Sequence, residues 1–187
     1  MLDAVKKTSK FIDSVSAKTA RGLHWLLLLM IATAVYNAFG RYAGKWVGIN
    51  LSSNFFIELQ WYLFSLVFLF GASSALLRKA HVSVDVLSSR FSENFRAKIS
   101  IAGGVLLLLP FCIFMIVISI PSVQSSWAVF EDSPDPGGIV RYPIKTMVPL
   151  AFFLLLLQGI SELIKTWLFL RKEEAAKEED RSVSGGL

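Results

Sequence analysis

Four long stretches without Asp, Glu, Lys or Arg dominate the pattern of apolar and polar positions. The first covers residues 22–40. The second covers 59–77 and starts at 55 if Glu58 is accepted near an interface. The third runs from 99 to 130, of which about the first 25 residues are needed to cross a bilayer. The fourth begins near Thr146 and ends between Ile164 and Leu170, crossing Glu162 on the way. About 20 residues at 1.5 Å each match the roughly 30 Å of bilayer hydrocarbon. Unpaired backbone groups are too costly in lipid, and the short alternating segments of a barrel do not occur in this chain, so the stretches predict helices. The expected fold is an all-α integral membrane domain over 1–187, with transmembrane helices at about 22–40, 55–77, 99–123 and 146–168.

Composition agrees with this reading and narrows the function. Hydrophobic residues make up 54% of the 187, mean hydropathy is +0.57, and only 18% are charged, against roughly 25% in soluble chains. A secreted domain, a cytosolic enzyme and a nucleic-acid-binding module are excluded at this point. Cys112 is the single cysteine, which leaves no intramolecular disulfide, no cysteine zinc site and no dithiol chemistry. The net charge of +5 matters through its distribution. Fifteen of the nineteen Lys and Arg residues lie before the first span, between the second and third, or from the inner end of the fourth (Lys165) onward. The other four, Arg41, Lys45, Arg141 and Lys145, lie in the two remaining loops. Positive charge stays in the cytoplasm, so both termini are expected there. Trp46, Trp61, Tyr62, Trp127 and Tyr142 fall near the predicted outer span ends, where amphipathic rings prefer to sit.

The loop between spans two and three carries its own pattern. On helical spacing Leu77, Ala80, Val84, Leu87 and Phe91 share an apolar face, with Arg78, His81, Asp85 and Ser89 turned from it. That predicts an amphipathic helix over about 78–92 lying in the membrane interface, with Arg78 and Lys79 placed to meet membrane lipids. Glu58 is the acid nearest a span interior. Its position at the outer end of span two points to an outer-edge hydrogen bond or an interface, with Trp61 one turn on. Glu162 and Lys165 are spaced to pair on one helix. The segment 131–138 reads as an irregular acidic hairpin, flanked by Arg141 and Lys145. Gly71 with Ala75, and Ala34 with Ala38, are small-xxx-small pairs suited to helix packing. Gly103, Gly104 and Pro110 predict a bend in span three. From about 173 to 187 the chain reads as a flexible tail.

Redox and hydrolytic chemistry find little support. A haem between membrane helices takes histidines from facing spans. Here His24 lies at a span edge and His81 in a loop. No HExxH, carboxylate pair or Ser/His/Asp grouping is present. Neither a catalytic residue nor a cofactor or metal site is expected. A channel or small transporter formed by self-association, with Glu58 lining its path, is the competing function.

Several ordered pieces of the chain resemble the small membrane subunit, DctQ type, of tripartite ATP-independent periplasmic (TRAP) transporters. They are Glu58-Leu59-Gln60-Trp61-Tyr62-Leu63-Phe64 with Phe70-Gly71-Ala72-Ser73, then Leu76-Leu77-Arg78-Lys79-Ala80-His81-Val82-Ser83-Val84-Asp85-Val86-Leu87. Arg141-Tyr142-Pro143-Ile144-Lys145, Pro149-Leu150-Ala151-Phe152 and Leu156-Leu157-Gln158 follow. Together they cover about a third of the chain, and Ser83 departs from the arginine often found there. The resemblance implies an accessory subunit in the bacterial inner membrane. Its partners would be a large membrane subunit, which carries the substrate and sodium sites, and a periplasmic binding protein that delivers an organic anion such as a carboxylate or sulfonate. Glu58, Trp61, Arg78, Lys79, His81, Asp85, Arg141 and Lys145 are then candidate contacts with partner or lipid.

Overall fold

Helices account for nearly all of the computed structural model, which describes residues 2–48, 53–78 and 92–184. In chain order they are α1 (Leu2–Val47), α2 (Asn54–Leu77), α3 (Glu93–Ala128) and α4 (Tyr142–Ser184). No strand occurs among the described residues. Each helix is long and apolar enough to cross a membrane. The interfacial helix predicted for 78–92 falls almost wholly outside the described residues.

The helices run well past the charge-free windows. At 46 and 43 residues, α1 and α4 are about 69 and 65 Å long, twice the hydrocarbon thickness. The sequence places residues 2–21 outside span one, yet they continue α1 without a break. Likewise α4 continues to Ser184, beyond the start of the expected flexible tail at 173. The run Glu173-Glu174-Ala175-Ala176-Lys177-Glu178-Glu179 is composed of strong helix formers. Helix starts are set locally. Ser53 accepts from the Phe55 amide (3.3 Å) and Ser92 from the Phe95 amide (3.4 Å), each an N-cap that satisfies an amide lacking a helical partner.

Pro110 has no N–H to offer the carbonyl of Leu106. Just before it, α3 loosens into a π turn over Gly104–Leu108, closed by the Leu109 amide on the Gly104 carbonyl. Where Gly103, Gly104 and Pro110 predict a bend, the structure has this π turn. Helix packing also uses other glycines than the sequence suggests. A Cβ on Gly71 would meet nothing within 4 Å, and Ala38 is exposed. On Gly104 it would lie 2.6 Å from Leu163, and on Gly159 2.9 Å from Leu108. Each glycine thus receives a leucine of the facing helix, which brings α3 and α4 close.

Helix α4 is the hub. It packs against α1, α2 and α3, while α1 also packs on α2. Helix α3 leans on α4 without comparable contact to α1 or α2. The interior is polar and the exterior apolar. Among the described residues, five of the six largest fully buried side chains are Gln158, Ser16, Ser73, Ser126 and Ser161. Outside, Trp25, Phe39, Leu106, Leu107, Val129 and many others are exposed. Such an inversion is unstable in water and is expected where the surroundings are lipid or another apolar chain.

Candidate functional site

Polar side chains converge at both ends of the bundle. At the distal end, opposite the termini, the segment 129–141 joins α3 to α4 and folds back over α2. One turn into α2, Glu58 is only 2% exposed. Its carboxylate accepts from the Ser133 hydroxyl through one oxygen and from the Ile139 amide through the other. A turn further on, the Tyr62 hydroxyl donates to the Val140 carbonyl at 2.5 Å, with the Ile139 carbonyl at 3.3 Å. Asn54 Nδ2 reaches the Pro136 carbonyl at 3.1 Å. Residues 54, 58 and 62 share one face of α2 because they are four apart, and all three hold the same loop. The loop must come this close: a Cβ on Gly138 would collide with Ser133 Oγ and the Glu58 carboxylate.

A second set closes the loop on itself. Glu131 accepts from Lys145 and from Ser126 Oγ (2.6 Å), and its carbonyl accepts from the Arg141 amide (2.8 Å). The hydrogen bond from Lys145, then that from Ser126, holds the Glu131 carboxyl below the ordinary range. Arg141 lies 5.9 Å from the Trp61 ring centroid. Trp127 donates to Thr146 Oγ1 at 2.8 Å and packs on Tyr142 at 4.5 Å. Glu58, Trp61, Arg141 and Lys145, four of the residues singled out in the sequence, therefore meet in one clamp. Arg78 is at the other end, where its amide caps α2. Lys79, His81 and Asp85 lie outside the described residues.

The terminal end holds a polar seam that sequence reasoning missed. Asp13 of α1 accepts from Gln158 Nε2 (3.0 Å), Ser161 Oγ (2.8 Å) and Lys165 Nζ (3.1 Å), all on α4. Lys165 also pairs with Glu162, as the spacing predicts. Ser16 donates to Gln158 Oε1 at 2.7 Å, Ser9 and Ser161 share a 2.7 Å bond, and Ser74 of α2 donates to the Ser16 carbonyl at 3.3 Å. The available signal was the recurrence Ser9, Ile12, Asp13, Ser16, Ala20 on helical spacing before the first charge-free window.

Both sets use their polar groups on each other. Glu162, paired with Lys165, lines a cavity between α3 and α4 with Glu93, Arg96 and Ser100, and among the described residues no group of three His, Cys, Asp or Glu side chains is placed to hold a metal ion. Cys112 is buried.

The fold and its two polar ends define a multi-pass α-helical membrane protein. Residues 30–169 match the family model of the DctQ component of tripartite ATP-independent periplasmic transporters, and the chain belongs to that family. It is thus a small TRAP transporter component, in a family of transporter parts rather than enzymes. Comparison with curated proteins and with solved structures gives no match.

Proposed function

We propose that this chain is the accessory, scaffolding subunit of a sodium-coupled TRAP importer of an organic anion, a carboxylate or sulfonate, in the bacterial inner membrane. Both termini face the cytoplasm, and the clamp over 129–141 faces the periplasm. A large membrane subunit carries substrate and sodium, and a periplasmic binding protein delivers the anion. The observation that carries this reading is the engagement of the buried Glu58 carboxylate within the clamp, although Arg141 Nε there is left unpaired. Glu58, the acid a self-contained path would use, is spent on Ser133 and Ile139. The exposed surface is a wall of large apolar side chains suited to a partner helix or lipid. The clamp gives the outer loop a fixed shape against which a binding protein can dock, with Asp132 and Asp135 on it.

The test is sodium-driven uptake in proteoliposomes with purified binding protein and large subunit, with and without this chain. Loss of uptake on omission, and none by this chain alone, is the expected pair of results. Uptake by this chain alone that falls in Glu58→Gln would replace the scaffold with a self-assembled channel.

A further inference from the structure

The register between α1 and its neighbours sets two cations at an unexpected depth. The Ser74 bond to the Ser16 carbonyl and the contact of Tyr36 with Phe56 (4.7 Å) fix α1 antiparallel to α2. The end of α2 at Leu77 is then level with about Asp13, itself tied to Lys165. At 1.5 Å per residue Lys18 lies about 7 Å, and Arg21 about 12 Å, past that level toward the middle of the bundle. The sequence window, which starts at residue 22, leaves both outside the span; the packing of α1 on α2 brings them alongside the apolar part of α2.

Lys18 and Arg21 are exposed and have no ion pair among the described residues. With Trp25, 74% exposed, they follow one face of α1 at spacings of three and four. The nearest acid on α1, Asp13, is turned to α4 and already engaged. Bare cations at this depth are expensive. Side chains on a helix tilt toward its N-terminus, which for α1 leads back to the terminal end and the headgroup layer. Lys18 and Arg21 therefore both lead back toward that layer, an ammonium and, one turn deeper, a guanidinium fork that matches phosphate oxygens. Trp25, one turn deeper at about 18 Å past that level, offers a ring beside the acyl chains.

We infer that Lys18 and Arg21 form a binding site for the headgroup of an anionic phospholipid, whose acyl chain runs along Trp25. With no free acid among the described residues of this face to attract an ammonium, a net negative head is preferred over a zwitterionic one. The site belongs to this chain alone and does not depend on the transporter reading.

Lipid retention on the purified full-length chain, measured by native mass spectrometry after mixing with phosphatidylglycerol and phosphatidylethanolamine, tests it. The wild type should retain phosphatidylglycerol preferentially. Lys18→Gln with Arg21→Gln should lower that preference roughly thirtyfold, from the contribution of two basic groups near a headgroup layer. The same charge loss at the distal end of α1, Arg41→Gln with Lys45→Gln, should leave it unchanged. The exchange Lys18→Arg with Arg21→Lys should retain most of it, which separates the site from a folding defect. Equal preference in the wild type and the Lys18/Arg21 glutamine variant would overturn the inference. So would a glutamine variant that keeps its lipid but no longer co-purifies with a large membrane subunit, which would assign the cations to a protein partner.

Discussion

Removing the Asp13 carboxylate tests whether the seam between α1 and α4 holds the bundle together, and by which forces. Asp13→Ala takes an acceptor from Gln158, Ser161 and Lys165 at once. The three losses are unequal. Lys165 is about a third exposed (36%) and keeps Glu162, so its share is that of a partly solvated pair, at most about 1 kcal/mol. Gln158 and Ser161 are fully buried; the Gln158 amide would lose its acceptor, whereas the Ser161 hydroxyl can still turn to the Ser9 carbonyl at 3.3 Å. An orphaned buried donor costs about 1–3 kcal/mol, while side-chain pairs between membrane helices average about 0.6 kcal/mol. The expected loss for Asp13→Ala is therefore about 2–3 kcal/mol. Asp13→Asn, which keeps an acceptor oxygen for Gln158 and Ser161, should lose about 1 kcal/mol or less. Equilibrium unfolding of the full chain in mixed detergent, followed by helical circular dichroism, gives both numbers. A double-mutant cycle of Asp13 with Gln158 should show stronger coupling than one with Lys165. An Asp13→Ala loss under about 0.5 kcal/mol, or stronger coupling to Lys165 than to Gln158, would refute the argument that burial outweighs charge here.

Three further outcomes follow from the same structure. Tyr62→Phe removes the hydroxyl that holds the Ile139 and Val140 carbonyls and should loosen the distal loop by about 1 kcal/mol, read as faster amide exchange over 139–141 with the core helices unchanged. Because the Glu131 carboxyl titrates below its ordinary value of 4.5, its contribution is complete above that pH and is lost as pH falls through the lower folded value. The gap in melting temperature between wild type and Glu131→Gln should thus be constant from pH 8 to 5 and close under more acid conditions; a gap that opens on acidification would contradict this. Gly104→Leu, which drives a side chain into Leu163, should cost about 1–3 kcal/mol, whereas Gly71→Ala, into open space, should be neutral or stabilising by up to about 1 kcal/mol.

The sequence made the number of spans legible because each had to offer some 20 apolar residues in a row, a requirement of the solvent rather than of the fold. It showed the distal clamp in part. Glu58 stood out as an acid at a span edge, and Trp61, Arg141 and Lys145 stood near the same level. Their partners did not stand out, since the Ser133 hydroxyl and the Ile139 amide become acceptor-seeking only when the loop turns back. The seam was hidden for a related reason. Charge marked residues 2–21 as a cytoplasmic segment, and Asp13 looked like one more solvated acid among lysines. Only the pairing of α1 with α4 shows that Ser9, Asp13 and Ser16 form a face. Small-xxx-small spacing named Gly71 where the close approach is at Gly104 and Gly159, because spacing gives a face and not its neighbour.

The positions of seam and clamp bear on the proposed bracing role. Two packed helices in lipid have little apolar incentive to stay in register, since lipid tails offer similar contacts; directional polar bonds must fix it. Here the seam ties α1, α2 and α4 at the terminal end through Asp13, Ser16 and Ser74. The clamp ties α2 to the start of α4 at the distal end through Glu58 and Tyr62. Sliding any one of the three past another would break bonds at an end that lipid cannot re-form. Helix α3 escapes this double fixing. It is joined to α4 by apolar packing at the two glycines and by the distal hydrogen bonds around Glu131 and Trp127, and it carries the π turn between them. If a moving large subunit leans on this chain, strain should therefore collect in α3 about Gly104–Leu108. Spin labels spanning that turn should report a wider distance distribution than labels at equal separation on α2, and equal widths would remove α3 as the compliant element.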